Sequence, residues 1–154
     1  MWKLLSGEVV VDRLNSHIHE GVAGLLSEAL GRIDPTGQPF LAIDIDLGRV
    51  VGETVCVPTG PGDEIVWAVR PNRAGHTRFV VGRSPLPTTK VTVVLKQRNE
   101  GGYVLITAFV GPKAEPEPWD RNATPASREY WASRALVYGS EPTLPGTETK
   151  ICPW

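Results

Sequence analysis

Apolar and polar positions alternate most clearly between Lys90 and Phe109. Lys90-Val91-Thr92-Val93-Val94-Leu95-Lys96 and Tyr103-Val104-Leu105-Ile106-Thr107-Ala108-Phe109 are rich in β-branched and aromatic residues, and the polar break between them ends in Gly101-Gly102. This pattern predicts an antiparallel hairpin at the centre of a sheet. By the two-residue period of a strand, Tyr103, Leu105, Thr107 and Phe109 share one face, and Val104, Ile106 and Ala108 share the other. Thr107 is then a polar residue in the middle of an otherwise apolar strand.

Upstream, Leu14, Ile18, Val22, Leu25, Leu26, Ala29, Leu30 and Ile33 recur every three to four positions. That spacing predicts an amphipathic helix over 14–33, ended by Asp34-Pro35-Thr36-Gly37. His19 lies on one shoulder of its apolar stripe and His17 beyond the other. Short strands are expected at 40–47, 49–57, 64–70 and 77–81, separated by Gly- and Pro-rich turns. Thr124-Pro125 reads as an N-cap followed by Pro at the first helical position, opening a short helix over 126–135. Leu136-Val137-Tyr138 is expected to add an edge strand. The fold class is therefore α+β: an N-terminal helix packed on an antiparallel sheet of four to six strands, with a short C-terminal helix. Residues 1–138 are expected to form one domain and 139–154 an irregular tail.

A length of 154 residues and a formal net charge of −1 fit this picture. The charge gives no global argument for nucleic acid or a membrane, so either would need a local patch. No apolar run approaches the ~18 residues of a membrane-spanning helix, and Met1-Trp2-Lys3-Leu4-Leu5 is too short for a signal-peptide core. The expectation is a free-standing cytoplasmic protein without a membrane partner. Cys56 and Cys152 make neither a disulfide framework nor a zinc site. Two histidines two apart on a helix diverge, and Asp44 and Asp46 read as a solvated strand face. No metal or other cofactor is expected, and no Gly-rich phosphate loop or nucleophile elbow is present.

The remaining chemistry is metal-free acid–base work. His17, His19 and His76 are the groups that change charge near neutral pH. Arg73, Arg78, Arg83, Lys90, Lys96 and Arg98 cluster in one third of the chain, with Thr88, Thr89, Thr92 and Thr107 supplying hydroxyls. A histidine, a few cations and a threonine suffice to cleave RNA through its own 2′-hydroxyl. The histidine moves the proton, the cations stabilise the phosphorane, and the hydroxyl orients a phosphate oxygen. The plainer reading makes each histidine solvated and each strand cation part of an exposed face. Trp119, Trp131, Tyr130 and Phe109 either stack on bases or fill a satellite core.

The run Pro87-x-Thr89-x-Val91-Thr92-Val93-Val94-Leu95, then Tyr103-Val104-Leu105-Ile106-Thr107-Ala108-Phe109-x-Gly111, Glu117-Pro118 and Tyr130-Trp131-Ala132-Ser133-Arg134-Ala135-Leu136-Val137 resembles a known group. It is similar to the small ribonuclease domains of bacterial polymorphic and contact-dependent toxins, within the barnase, EndoU, colicin D and RelE-like fold group. The resemblance covers roughly residues 12–138. It implies a metal-independent endoribonuclease acting on RNA, commonly tRNA, with a cognate immunity or antitoxin protein as a partner. On that reading His17 or His19 is the proton-transfer group, with Arg83 and Thr107 beside it. Thr89, Lys90, Lys96, Arg134 and Trp131 bind substrate. Two positions depart from the pattern: Val110 stands where Pro is usual, and Arg134 where His is expected. The second departure makes a non-catalytic RNA- or protein-binding relative the alternative.

Overall fold

The computed structural model describes residues 2–12 and 16–154. Its strands are β1 (Trp2–Lys3), β2 (Glu8–Val11), β3 (His17–Ile18), β4 (Phe40–Asp46), β5 (Gly52–Thr54), β6 (Cys56–Pro58), β7 (Glu64–Val69), β8 (His76–Val81), β9 (Leu86–Thr88), β10 (Lys90–Gln97), β11 (Tyr103–Val110) and β12 (Arg134–Val137). The helices are α1 (Leu26–Leu30), entered through a 3-10 turn at Ala23–Leu25, and α2 (Pro125–Ala132). The class is α+β, mostly sheet with two short helices. No helix among the described residues is long and apolar enough to cross a membrane.

The chain divides into two compact units. The first comprises Met1–Thr54 and Pro87–Lys113, and the second Val55–Leu86 and Ala114–Trp154. In the first unit a six-stranded sheet runs β1-β2-β11-β10-β4, with β3 also on β11. The expected hairpin is its centre: β10 pairs β11 antiparallel, and β4 pairs the other edge of β10. Gly101 and Gly102 close the hairpin at φ +96° and +71°, values that favour glycine. Strands β2 and β3 join β11 in parallel, so this sheet is mixed and not purely antiparallel. A separate two-stranded ribbon pairs β5 with β9.

The expected helix over 14–33 is corrected. Leu14 lies outside the described residues. His17–Ile18 is a strand, and regular α-helix is confined to Leu26–Leu30. Gly21 at φ +88° cannot sit in a right-handed helix, and Gly24 weakens the next turn. The apolar spacing still serves a purpose. Val22, Leu26, Ala29, Leu30 and Ile33 are buried together against Val91, Val93, Leu95, Tyr103, Leu105 and Ala108 of the sheet.

The expected face assignment of β11 is corrected as well. Val94 pairs Thr107 while the next residue, Leu95, pairs Leu105, so Ile106 is an extra residue in a β-bulge. A bulge exchanges the faces beyond it. Leu105 and Ala108, three apart, are therefore both fully buried on the helix side. Thr107 and Phe109 turn to the side opposite Tyr103 and Leu105.

In the second unit a four-stranded sheet runs β6-β12-β8-β7. β12 is an interior strand, antiparallel to β6 and parallel to β8, and not the expected edge. Phe79 is fully buried among Val66, Ala68, Trp131 and Leu136. Helix α2 begins as its sequence predicts, with Pro125 in the first turn after Thr124. The Thr124 N–H donates to Ser127 Oγ at 3.1 Å. Residues 139–154 hold no helix or strand beyond a bridge between Thr149 and Trp67.

Candidate functional site

The expected site residues fall in both units. His17, His19, Thr89, Lys90, Lys96 and Thr107 belong to the first, and Arg83, Trp131 and Arg134 to the second. Each group is built by its own elements.

In the first unit, the parallel ladder of β3 on β11 pairs His17 with Thr107 and Ile18 with Ala108. The His19 N–H then donates to the Ala108 carbonyl at 3.0 Å, which continues the ladder by one residue. The Ser16 hydroxyl donates to the Leu105 carbonyl and anchors the start of the strand. Laterally paired residues point to the same side of a sheet, and so do residues two apart on a strand. His17, His19, Thr107 and Phe109 therefore share the face opposite α1. The His19 ring meets the Phe109 ring edge-on with centroids 5.9 Å apart. The divergence expected of the two histidines on a helix is thus overturned, because a strand aligns them.

The same registers extend that face across the sheet. The row of His17 and Thr107 continues through Val94 to Ala42, and Phe109 is followed by Thr92 and Asp44. Lys96 lies opposite Phe40, and both are exposed. Lys90 lies opposite Asp46. The Asp46 carboxyl is held below its ordinary range, first by the Gly48 N–H, then by the Thr89 hydroxyl and the charges of Lys90 and Arg32. Thr89 and Lys90 thus serve a carboxylate at one end of β10, while Lys96 at the other has no ion pair among the described residues. His17 and His19 are exposed beside a shallow recess that they form with Ser16 and Ile18. Neither imidazole, nor the Thr107 hydroxyl, has a hydrogen-bond partner among the described residues. Three polar side chains on one face are therefore uncommitted.

In the second unit the expected residues are engaged locally. Arg83 donates to both oxygens of Asp63, at 3.2 and 3.1 Å. The Arg134 guanidinium lies over the Tyr130 ring, 4.6 Å from its centroid. The Trp131 indole N–H donates to the Glu115 carbonyl at 2.9 Å from a buried position. Burial pushes the Cys56 thiol up, despite its contact with the Tyr130 hydroxyl, so it is a poor nucleophile. Among the described residues no three His, Cys, Asp or Glu converge on a metal-sized space.

Sequence reasoning found the histidines and Thr107 but missed how they meet. A two-residue strand carries no alternation to read, and a bulge at an apolar β-branched residue leaves no mark in the pattern. Phe109 was visible as an aromatic, and its contact with His19 follows only from the parallel ladder. No protein-family model matches this chain, and neither a curated protein nor a solved structure matches it.

Proposed function

We propose that the open face of the first unit binds RNA and cleaves it through its 2′-hydroxyl without a metal. The single observation that supports this reading is the ladder of β3 on β11, which sets His17 beside Thr107 with His19 next along the same face. Adjacent strands stand about 4.8 Å apart, and two residues of strand rise roughly 6.6 Å. A phosphodiester fits between imidazoles at that spacing. One neutral imidazole takes the 2′-hydroxyl proton as the 2′-oxygen attacks phosphorus. The bond from phosphorus to the 5′-oxygen breaks, and the leaving oxygen takes a proton from the other imidazolium. The products are a 2′,3′-cyclic phosphate and a free 5′-hydroxyl. Thr107 orients a non-bridging oxygen, Phe109 offers a ring to a neighbouring base, and Lys96 supplies charge.

The test is cleavage of single-stranded RNA and of tRNA in buffer containing EDTA. His17→Ala and His19→Ala are each expected to lower the rate about 100-fold or more, with unchanged circular dichroism. Full cleavage by the double variant overturns the assignment. An inhibitory partner protein of the immunity kind is part of the same proposal, and growth arrest on expression in bacteria is its first sign.

A second reading, RNA binding without cleavage, has an observation in its favour. Arg32 and Arg49 both pair with Glu28, and Arg98 pairs with Glu100. The described arginines of the first unit are thus neutralised, which leaves lysines to stabilise a phosphorane. Binding at low salt by a protein that neither cleaves RNA nor arrests growth selects this reading.

A further inference from the structure

The second unit carries a feature that the histidine face does not use. A cleft of about 700 Å³, within the range of small-molecule sites, opens beside α2 and the chain leading into it. Trp119 and Trp131 both line it. The floor is a closed ion network: Arg70 donates to Glu117 at 2.6 Å, to Glu141 at 2.7 Å and to the Thr77 hydroxyl at 3.0 Å. The charge of Arg70 is therefore matched by two carboxylates, which leaves it little part in recognising an anion.

Trp119 is fixed from behind. A Cβ added to Gly75 would stand 2.2 Å from Trp119 Cγ and 2.7 Å from Cδ1, so only glycine lets the indole rest on this backbone. The Trp119 indole nitrogen is buried and has no hydrogen-bond partner among the described residues. At the mouth stand Arg73 and Arg121, both exposed. Neither guanidinium has an ion pair or side-chain hydrogen bond among the described residues. The cleft thus combines a seated aromatic ring with two free guanidinium groups, and the Glu115 and Asp120 carboxylates also line it. A ligand that meets the ring and the two guanidinium groups is planar and aromatic at one end and anionic at the other.

We propose that this cleft binds a nucleoside phosphate, with its base against Trp119 and its phosphate between Arg73 and Arg121. Flat bases stack on indole whatever their identity, and guanidinium forks match phosphate oxygens. The cleft is lined by residues of the second unit, whereas His17 and Thr107 belong to the first. A nucleoside phosphate has two sources, a free mononucleotide or the phosphorylated end of an RNA, and both present the same chemistry.

The test titrates the whole chain with AMP, GMP, CMP and UMP, with the parent nucleosides, with inorganic phosphate, and with a 5′-phosphorylated oligoribonucleotide. Calorimetry and tryptophan fluorescence are the readouts. At least one monophosphate is expected to bind about tenfold or more tightly than its nucleoside or phosphate alone. Trp119→Ala is expected to weaken binding about tenfold or more, as is Arg73→Glu with Arg121→Glu, a surface change that leaves the packing in place. His17→Ala with His19→Ala is expected to leave it unchanged, which separates this site from RNA cleavage. Equal affinity for the oligonucleotide places the ligand at an RNA end, and preference for the mononucleotide makes it free. The proposal is overturned if no monophosphate binds up to millimolar concentration. It is equally overturned if inorganic phosphate binds as well as a monophosphate, or if the Arg73→Glu, Arg121→Glu protein binds like the parent.

Discussion

The two units bury their sheets by different means. In the first, one sheet face is sealed by aliphatic side chains of α1 and the turn before it, and the other face carries exposed histidines and a lysine. In the second, the core mixes aromatic rings with polar groups: Phe79 and Trp131 lie among aliphatics, and Arg70 is only 14% exposed with Glu117 at 11%. An aliphatic seal on one face frees the other for polar side chains that need no internal partner. In the mixed core the buried charge of Arg70 is committed to Glu117 and Glu141, although the buried indole nitrogens of Trp67 and Trp119 have no partner among the described residues. Arg83 and Arg134, chosen from sequence as phosphate ligands, are held by Asp63 and Tyr130, whereas His17, His19 and Thr107 have no side-chain hydrogen-bond partner among the described residues.

The sharpest way to break the comparison is to empty each core in turn. Phe79→Ala is expected to cost about 3–5 kcal/mol, and Leu30→Ala about 2–5 kcal/mol. Chemical denaturation gives the totals. Hydrogen exchange locates them: Leu30→Ala should lower protection in β10 and β11, and Phe79→Ala in β7, β8 and β12. Four of the five tryptophans lie in the second unit, so fluorescence follows that unit most directly. If Leu30→Ala costs less than about 1 kcal/mol, the aliphatic seal is not what holds α1 to the sheet.

A smaller change probes the polar core. Arg70→Met leaves Glu117 with no cation at a largely buried site and is expected to cost about 3 kcal/mol. Adding Glu117→Leu removes the stranded carboxylate and is expected to recover most of that loss. If the double variant is no more stable than the single one, the network is held by contacts other than charge pairing. The matching polar bond of the first unit is weaker. Thr92 is 1% exposed, and its hydroxyl donates to the Gly111 carbonyl at 2.8 Å. Thr92→Val is expected to cost about 1 kcal/mol, since one neutral hydrogen bond is lost and the carbonyl is left short of a partner.

The regular parts of both units were legible, and the joints were not. Hairpin β10–β11, β4, β7, β8 and α2 each carry their own period or cap over five or more residues, enough to fix the type of element but not the face of β11 beyond its bulge. Short elements held by tertiary pairing carry no such signal. Strand β3 exists because β11 offers an unpaired edge, and the parallel partner of β8 lies more than fifty residues away in β12. The bulge at Ile106 had the largest consequence for the site. It moved Thr107 away from Leu105 and onto the histidine side, an outcome that strict alternation excludes. The site residues were thus found by residue type, while their juxtaposition came from pairings between distant segments. The cleft beside Trp119 was visible in sequence only as an aromatic near a proline-rich loop.

The smallest expected effect compares one surface carboxylate from each unit as the pH falls. Glu28 of α1 sits below its ordinary 4.5, first because Arg49 donates to it and then through the charges of Arg49 and Arg32. Asp63 sits below its ordinary 3.8, first because of the Gly60 N–H and then because of Arg83. A carboxyl lowered in the folded state binds protons less readily there than in the unfolded chain. Each pairing therefore adds stability above the ordinary value and loses it as the pH falls through the lower, folded one. Glu28→Gln should lower stability slightly at neutral pH, with the gap to the parent closing below about pH 4.5. Asp63→Asn should behave in the same way, with its gap closing at a lower pH because aspartate starts lower. Both groups are half-buried at the surface and still reached by solvent, so salt should shrink both gaps. Denaturation midpoints between neutral pH and about pH 3 measure this. Gaps that persist in acid would show that the carboxylates act through packing and not through their charge.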